Sequence, residues 1–168
     1  MMTMENYLGT DLVVIPYHAA QDAGQYDLAT RVRVLRDPPP GEGVFPVQGG
    51  KQSQGEVTDL ATFSGRENLA QALILRLLTP RGSLAQLGHA SYGSRLGELI
   101  GQPKTQALRN LCRAFVLEAV AQEARVEPKA VSFSFDLQAE TLSSIVFILA
   151  VQPVQGGEPL SLSLEVAL

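Results

Sequence analysis

The sequence has 168 residues and a net charge of −4 at pH 7, with 45% hydrophobic and 18% charged residues. These proportions are typical of one globular domain with some spare length, and they exclude a disordered chain. Lysine and arginine are scattered along the sequence, so we expect no interface with nucleic acid. The single cysteine, Cys112, excludes an internal disulfide, and we expect it to be a small buried hydrophobic residue.

Neither a secretory signal nor a membrane span is indicated. The N-terminus has no basic segment followed by a long apolar core. The longest apolar run, residues 145–151, is far shorter than the about 20 residues that span a bilayer. We therefore expect the protein to be assembled in the cytoplasm, without insertion into a membrane.

Residues 1–60 are predicted to form an N-terminal extension of short strands and loops. Residues 12–15 are predicted to be a short strand that ends at Pro16. Residues 30–35 place two arginines on one face and two valines on the other, which predicts a half-exposed edge strand. Residues 37–56 are rich in proline and glycine and are predicted to form a long flexible loop.

Residues 61–168 are predicted to form the core domain, which opens with a helix after Ser64. The sequence Ser-Gly-Arg-Glu has the spacing of a capping box. Leucines recur at helical spacing behind it and predict an apolar stripe: Leu69, Leu73 and Leu77. Pro80 is expected to end this helix, because the residue before a proline avoids helical geometry. Gly82 and Gly93 allow turns around a polar loop.

A second and longer helix is predicted from about Pro103 to Arg125. Pro103 is suited to the first turn of a helix. The apolar residues that follow share one face at helical spacing: Leu108, Leu111, Cys112, Phe115 and Ala119.

Three strands are predicted after this helix. Residues 131–137 and 160–168 alternate between apolar and polar side chains, which is typical of half-buried strands. Residues 145–151 are apolar without alternation, which predicts a central strand covered on both faces. The fold class is therefore α+β, with two main helices packed on a three-stranded antiparallel meander.

No residue pattern of a catalytic or cofactor site is found. His18 and His89 lie apart without the spacing of zinc ligands, and no phosphate-binding loop or nucleophile elbow occurs. We expect no metal and no cofactor. A glycoside hydrolase would require two carboxylates across a sugar bond, one of them with a raised pKa. Only Glu98 and Glu127 flank suitable loops, and we predict that the other carboxylates cap helices or lie on solvated surfaces and turns.

The order of the motifs resembles the baseplate wedge family of contractile phage tails, whose members initiate the tail sheath. The turn Thr79-Pro80-Arg81-Gly82 ends the first helix, and the segment from Tyr92 to Leu96 (YGSRL) follows it. The long helix, the Glu-Pro-Lys sequence and the closing strands complete the order. The resemblance covers residues 60–168. The family carries a "lysozyme-like" label and has a member in type VI secretion baseplates.

The resemblance implies a structural protein rather than an enzyme. In the family a Glu-Pro-Arg motif contacts the core bundle of the wedge, and here the motif maps to Glu127, Pro128 and Lys129. The third position departs from the family, and lysine cannot form the two-bond fork of arginine. Sheath protein, other wedge proteins and the inner tube or hub are the implied partners, in a six-fold ring. An edge strand at residues 160–168 suits strand addition by the sheath protein. The apolar residues of this strand are therefore predicted to bind the partner: Leu160, Leu162, Leu164 and Val166. The alternative is a muralytic glycoside hydrolase that uses Glu98 or Glu127.

Overall fold

The computed structural model describes residues 8–16, 26–28, 30–34, 56–60, 62–154 and 156–168. The chain divides into two compact units, one formed by Met1–Thr10 with Ser64–Leu168 and the other by Asp11–Phe63. Leu8 therefore belongs to the unit of the two main helices, where its side chain joins the hydrophobic core. Among the described residues, no helix has the length and apolar character required to cross a bilayer.

In the described ranges, six short strands lie ahead of the helix that starts at Gly65: β1 (Thr10–Leu12), β2 (Val14–Pro16), β3 (Tyr26–Leu28), β4 (Thr30–Val34), β5 (Glu56–Leu60) and β6 (Thr62–Ser64). They form three two-stranded sheets: β1 with β6, β2 with β3 and β4 with β5. The last two pairs are antiparallel. The loop predicted over residues 37–56 lies outside the described residues, except for Glu56 at the start of β5, and His18 also lies outside them.

Helix α1 (Gly65–Leu78) follows the predicted apolar stripe, and Leu69, Leu73 and Leu77 are 0%, 0% and 3% exposed. The predicted capping box is wrong, because Ser64 is the N-cap residue but its side chain makes no capping hydrogen bond. Instead, the Gly65 N–H donates to the carbonyl oxygen of Gly9 at 3.2 Å. A neighbouring backbone segment thus satisfies one of the free N–H groups at the helix start.

Helix α2 (Gln106–Val120) begins three residues after the predicted Pro103, because the Thr105 hydroxyl accepts a hydrogen bond from the Leu108 N–H at 3.2 Å and caps the first turn. Six residues of the helix are buried: Leu108, Cys112, Phe115, Val116, Ala119 and Val120. Leu111 was predicted to share this face, but it is 48% exposed, since the buried stripe widens towards Val116 and Val120. Short 3-10 turns at Ala85–Leu87 and Leu96–Leu99 connect α1 to α2.

The C-terminal sheet is an antiparallel meander of β7 (Ser132–Phe135), β8 (Ser144–Val151) and β9 (Leu160–Ala167), with β8 in the centre. This confirms the predicted α+β fold class. Four side chains of β8 on the core face are at most 1% exposed: Ile145, Phe147, Leu149 and Val151. On the opposite face Val146 is buried but Ile148 and Ala150 are only half-buried, so the predicted cover on both faces is incomplete.

The core lies where α1 and α2 cover the inner face of the sheet. The ring of Phe133 stacks on Phe147 with the centroids 5.1 Å apart, and Phe135 meets Phe133 edge-on. Burying a leucine or phenylalanine side chain of this kind contributes about 2 kcal/mol to stability. The helices and the sheet thereby form a platform that supports the surface loops and the sheet edge.

Candidate functional site

The two motifs that carry the family resemblance are joined by backbone hydrogen bonds. The Ser94 N–H donates to the Thr79 carbonyl at 2.8 Å, and the Arg81 N–H donates to the Ser94 carbonyl at 2.8 Å. The Ser94 hydroxyl is buried and donates to the Leu77 carbonyl at 2.5 Å. Ser94 therefore fixes the loop that contains Gly93 against the end of α1. We conclude that these motifs have a structural role in the platform.

The Glu127-Pro128-Lys129 segment lies between α2 and β7, as its sequence position indicates. The Glu127 N–H donates to the Gln152 carbonyl at 2.8 Å, and its carboxylate accepts from the Lys129 N–H at 3.5 Å. A short 3-10 turn, Pro128–Ala130, follows and leaves Pro128 and Lys129 exposed. One end of the motif is thus anchored to the sheet while the other end is accessible to a partner.

The structure places the predicted partner-binding residues of β9 on the core face of the sheet. Leu160, Leu162, Leu164 and Val166 are half-buried and pack against the core cluster. Among the described residues, β9 pairs only with β8, so its other side is a sheet edge. These side chains remain partly exposed because no strand covers them along that edge.

The hydrogen-bond phase of the sheet decides which backbone groups of β9 face outwards. The Leu168 N–H donates to Ser143, and the Asp136 N–H donates to Val146, at 2.7 and 2.9 Å. Directly opposed residues of an antiparallel pair alternate between bonded and non-bonded positions. The even-numbered residues of β9 therefore bond to β8, and the odd-numbered residues direct their N–H and C=O groups to the edge: Ser161, Ser163, Glu165 and Ala167. Sequence alternation predicted the strand, but it contains no signal for this phase.

Two buried carboxylates were missed by the sequence analysis. Glu123 was predicted to be solvated at the helix end, but it is 8% exposed and pairs with Arg125 at 2.7 Å and with Arg76 at 3.4 Å. Arg125 and Asn68 both donate to the Leu8 carbonyl, at 3.0 and 2.8 Å. The Glu123 carboxylate thus orients the Arg125 guanidinium, which holds the N-terminal segment at Leu8 against the core. Arg125 is only two residues away, but Arg76 and Leu8 are distant in sequence, so no local pattern could reveal that this carboxylate is buried.

Glu140 was predicted to lie exposed in a turn, but its side chain is only 4% exposed. Arg109 donates to both carboxylate oxygens at 2.5 and 2.6 Å, and the Lys104 ammonium lies 2.8 Å away. The prediction failed because α2 and the segment before it bring two cations to the loop between β7 and β8. A buried carboxylate is tolerated when its charge is paired in this way.

The electrostatics of the carboxylates do not match those of a general acid. The Arg109 hydrogen bonds, aided by Lys104, lower the pKa of Glu140 to about 2 against the opposing effect of burial. Burial alone would raise the pKa of Glu123, but Arg125 and Arg76 together lower it. The hydrogen bond from Arg95 lowers the pKa of the exposed Glu98. A glycosidase acid requires a raised pKa, so these three groups favour charge pairing over proton donation.

The described residues offer no candidate metal site. In the described ranges, no three His, Cys, Asp or Glu side chains are grouped to hold an ion. Cys112 is buried, and burial raises the pKa of its thiol to about 11, so it is a poor nucleophile and a poor ligand at neutral pH.

The fold and these surfaces define an α+β protein with an exposed sheet edge and arginine-paired carboxylates. A solved structure of a protein from Geobacter sulfurreducens, provisionally described as a tail lysozyme, has a similar fold, with a TM-score of 0.51. The two chains are 16% identical, and the match covers 61% of this chain and 89% of the other. At this identity the likeness shows a shared fold. No protein-family model matches the chain, and comparison with curated proteins gave no match.

Proposed function

We propose that the protein is a structural baseplate component that initiates sheath assembly in a contractile phage tail or a similar injection system. In this proposal β9 pairs with a strand of the sheath protein, and residues 127–129 contact the core bundle of the wedge. The observation that carries the proposal is the exposed edge of β9. The fold shared with a protein described as a tail lysozyme supports a tail-associated role.

The edge of β9 has the two features that strand addition requires. Four residues direct main-chain groups outwards, which would give an added strand a regular hydrogen-bond ladder. The half-buried leucines on the core face would gain cover from the alternate side chains of that strand. An exposed edge of this length also favours aggregation, so a partner that covers it would benefit solubility.

Replacing Ser163 with proline tests the proposal at the centre of the edge. We expect Ser163→Pro to weaken binding of the purified sheath protein by about tenfold or more, because proline removes an outward N–H and obstructs an adjacent strand. The β8–β9 ladder should persist, since the N–H of Ser163 does not point to β8. Binding is measured by surface-immobilised titration, with Ser163→Ala as the matched control and the melting temperature as a check on folding. Equal binding by the folded proline variant would refute strand addition.

The second proposed contact is tested at Lys129. We expect Lys129→Glu to weaken binding to the wedge core bundle by about fivefold, as for an exposed ion pair of about 1 kcal/mol. Lys129→Arg should tighten it, because arginine restores the planar fork found in the family motif. Pull-down titrations with purified wedge proteins measure both changes. If both variants bind as the wild type does, the motif only closes the turn between α2 and β7.

The competing proposal is a muralytic glycoside hydrolase, which the description of the structural neighbour as a tail lysozyme favours. It would rely on Glu98 or Glu127, yet Glu98 is exposed and paired with Arg95 at 2.8 Å, and its pKa is lowered. The neighbouring arginine therefore argues against Glu98 as the proton donor. Release of sugars from purified cell walls, abolished by Glu98→Gln combined with Glu127→Gln, would establish the enzyme and displace the structural proposal.

A further inference from the structure

The loop between β7 and β8, residues 136–143, has a fixed conformation. The Asp136 carboxylate accepts from the Gln138 and Ala139 N–H groups at 3.1 and 3.2 Å, which closes the first turn. At the other end, the Thr141 N–H donates to the Ser144 hydroxyl at 3.2 Å. Both turns are thus held by side chains of the loop and of the strand that follows it.

Helix α2 and the segment before it hold the middle of the loop. Glu140 is bound by Arg109 and Lys104, and the Lys104 ammonium also donates to the carbonyls of Thr141 and Ser144, each at 2.6 Å. A loop held by this many charged hydrogen bonds loses little further conformational freedom when it binds a partner.

This fixed loop exposes two leucines to solvent. Leu142 is 98% exposed and Leu137 is 67% exposed. An ordered leucine at this exposure gains nothing from the fold, whereas insertion into an apolar pocket of a partner would remove its surface from water. Such a leucine contributes to binding only where a pocket buries it fully, because the contribution is proportional to the apolar area removed from water.

The charges and the size of the loop restrict the kind of partner. The two cations at the loop are already paired with Glu140, and Asp136 adds a further negative charge, so an anionic membrane surface is disfavoured. Two leucines alone are far smaller than the about 1,200 Å² that a specific interface buries. The loop therefore suits one part of a larger protein contact rather than a contact of its own.

The position of the loop connects it with the edge of β9. The Leu168 N–H, just beyond the end of β9, donates to the carbonyl of Ser143 at 2.7 Å, directly beside Leu142. An added strand would lie two strand spacings, about 10 Å, from β8, so the part of the subunit that continues past the end of β9 would reach the loop. Two contacts made by one subunit reinforce each other, because the second forms at high effective concentration.

We infer that Leu142 inserts into an apolar pocket of the same sheath subunit whose strand pairs with β9. The inference rests on the proposed function for the identity of that subunit. The loop would fix the register of the added strand, since the strand and the pocket belong to one subunit and both contacts can form in one register only. Leu137 widens the apolar surface around the anchor.

The test compares Leu142→Ser with the matched control Leu87→Ser in binding to the purified sheath protein. Leu87 is also an exposed leucine, at 73%, but it lies on the 3-10 turn between α1 and α2. We expect Leu142→Ser to weaken binding about tenfold, mainly by faster dissociation, and Leu87→Ser to bind as the wild type does. Ser163→Pro, measured in the same series, reports on strand addition separately.

The outcomes separate the two proposals. Binding that is weakened by Ser163→Pro but not by Leu142→Ser would overturn the anchor and leave strand addition intact. Absence of sheath binding by the wild type would overturn the proposed function and the anchor with it. Binding of the wild type to phosphatidylcholine–phosphatidylserine vesicles, or a dimer in sedimentation, either of them lost in Leu142→Ser, would assign the loop to a membrane or to a second copy and overturn the inference.

Discussion

Gly93→Ala is expected to destabilise the protein by about 3 kcal/mol, because backbone strain and lost hydrogen bonds act together. Gly93 has a φ of +102°, and a Cβ added there would lie 2.5 Å from the Thr79 carbonyl oxygen and 3.0 Å from the Arg81 nitrogen. Both atoms belong to backbone that bonds to Ser94, so neither can move without breaking the connection between the two motifs. Urea unfolding followed by circular dichroism measures the change.

Gly82→Ala is the matched control for this prediction. Gly82 also has a positive φ, +84°, but no atom lies within 4 Å of its added Cβ. We therefore expect only the cost of the left-handed conformation, about 1 kcal/mol. If the two variants lose the same free energy of unfolding, the backbone around Gly93 can move away from the added Cβ at no cost, and the prediction is wrong.

The sequence was sufficient to predict the parts of the fold that depend on periodicity. The stripe of Leu69, Leu73 and Leu77 defines the buried face of α1, and residues 145–151 define the central strand, because burial follows directly from apolar spacing. The helix ends were less predictable. Thr105 caps α2 in place of Pro103, and Gly9 replaces the expected side-chain cap of Ser64, because caps depend on neighbours that spacing does not reveal.

The candidate surfaces could be predicted only in part. The segment of Glu127 and Lys129 was found from its position in the motif order, and β9 was found from its alternation. The sequence could not predict which residues of β9 direct their N–H and C=O groups to the sheet edge, since the alternation of side chains is the same in either case. The burial of Glu123 and Glu140 was also missed, because Arg76 and Arg109, which pair with them, are brought close by packing between separate elements.

Glu140→Gln is expected to destabilise the protein by about 3 kcal/mol at pH 7, because Arg109 and Lys104 would be left without their buried counter-charge. These cations are only 17% and 21% exposed, so water can compensate them only partly. Glu98→Gln is the control, and it should change the stability far less than Glu140→Gln does, since the Arg95–Glu98 pair is exposed. Chemical denaturation of the three proteins gives the differences directly.

The stability that Glu140 contributes should depend on pH. The pKa of Glu140 is lowered on folding from 4.5 to about 2, chiefly by the Arg109 hydrogen bonds. Its contribution to stability is therefore fully present above about pH 4.5 and is lost as the pH falls through about 2. The stability of the wild type should approach that of Glu140→Gln over this interval, while their difference stays constant above pH 5. Melting temperatures from pH 2 to 7 measure it, and a difference that persists unchanged at the lowest pH would mean that Glu140 supports the loop through packing rather than charge. Since that loop carries Leu142, loss of the charge should also weaken sheath binding at neutral pH if the anchor depends on a fixed loop.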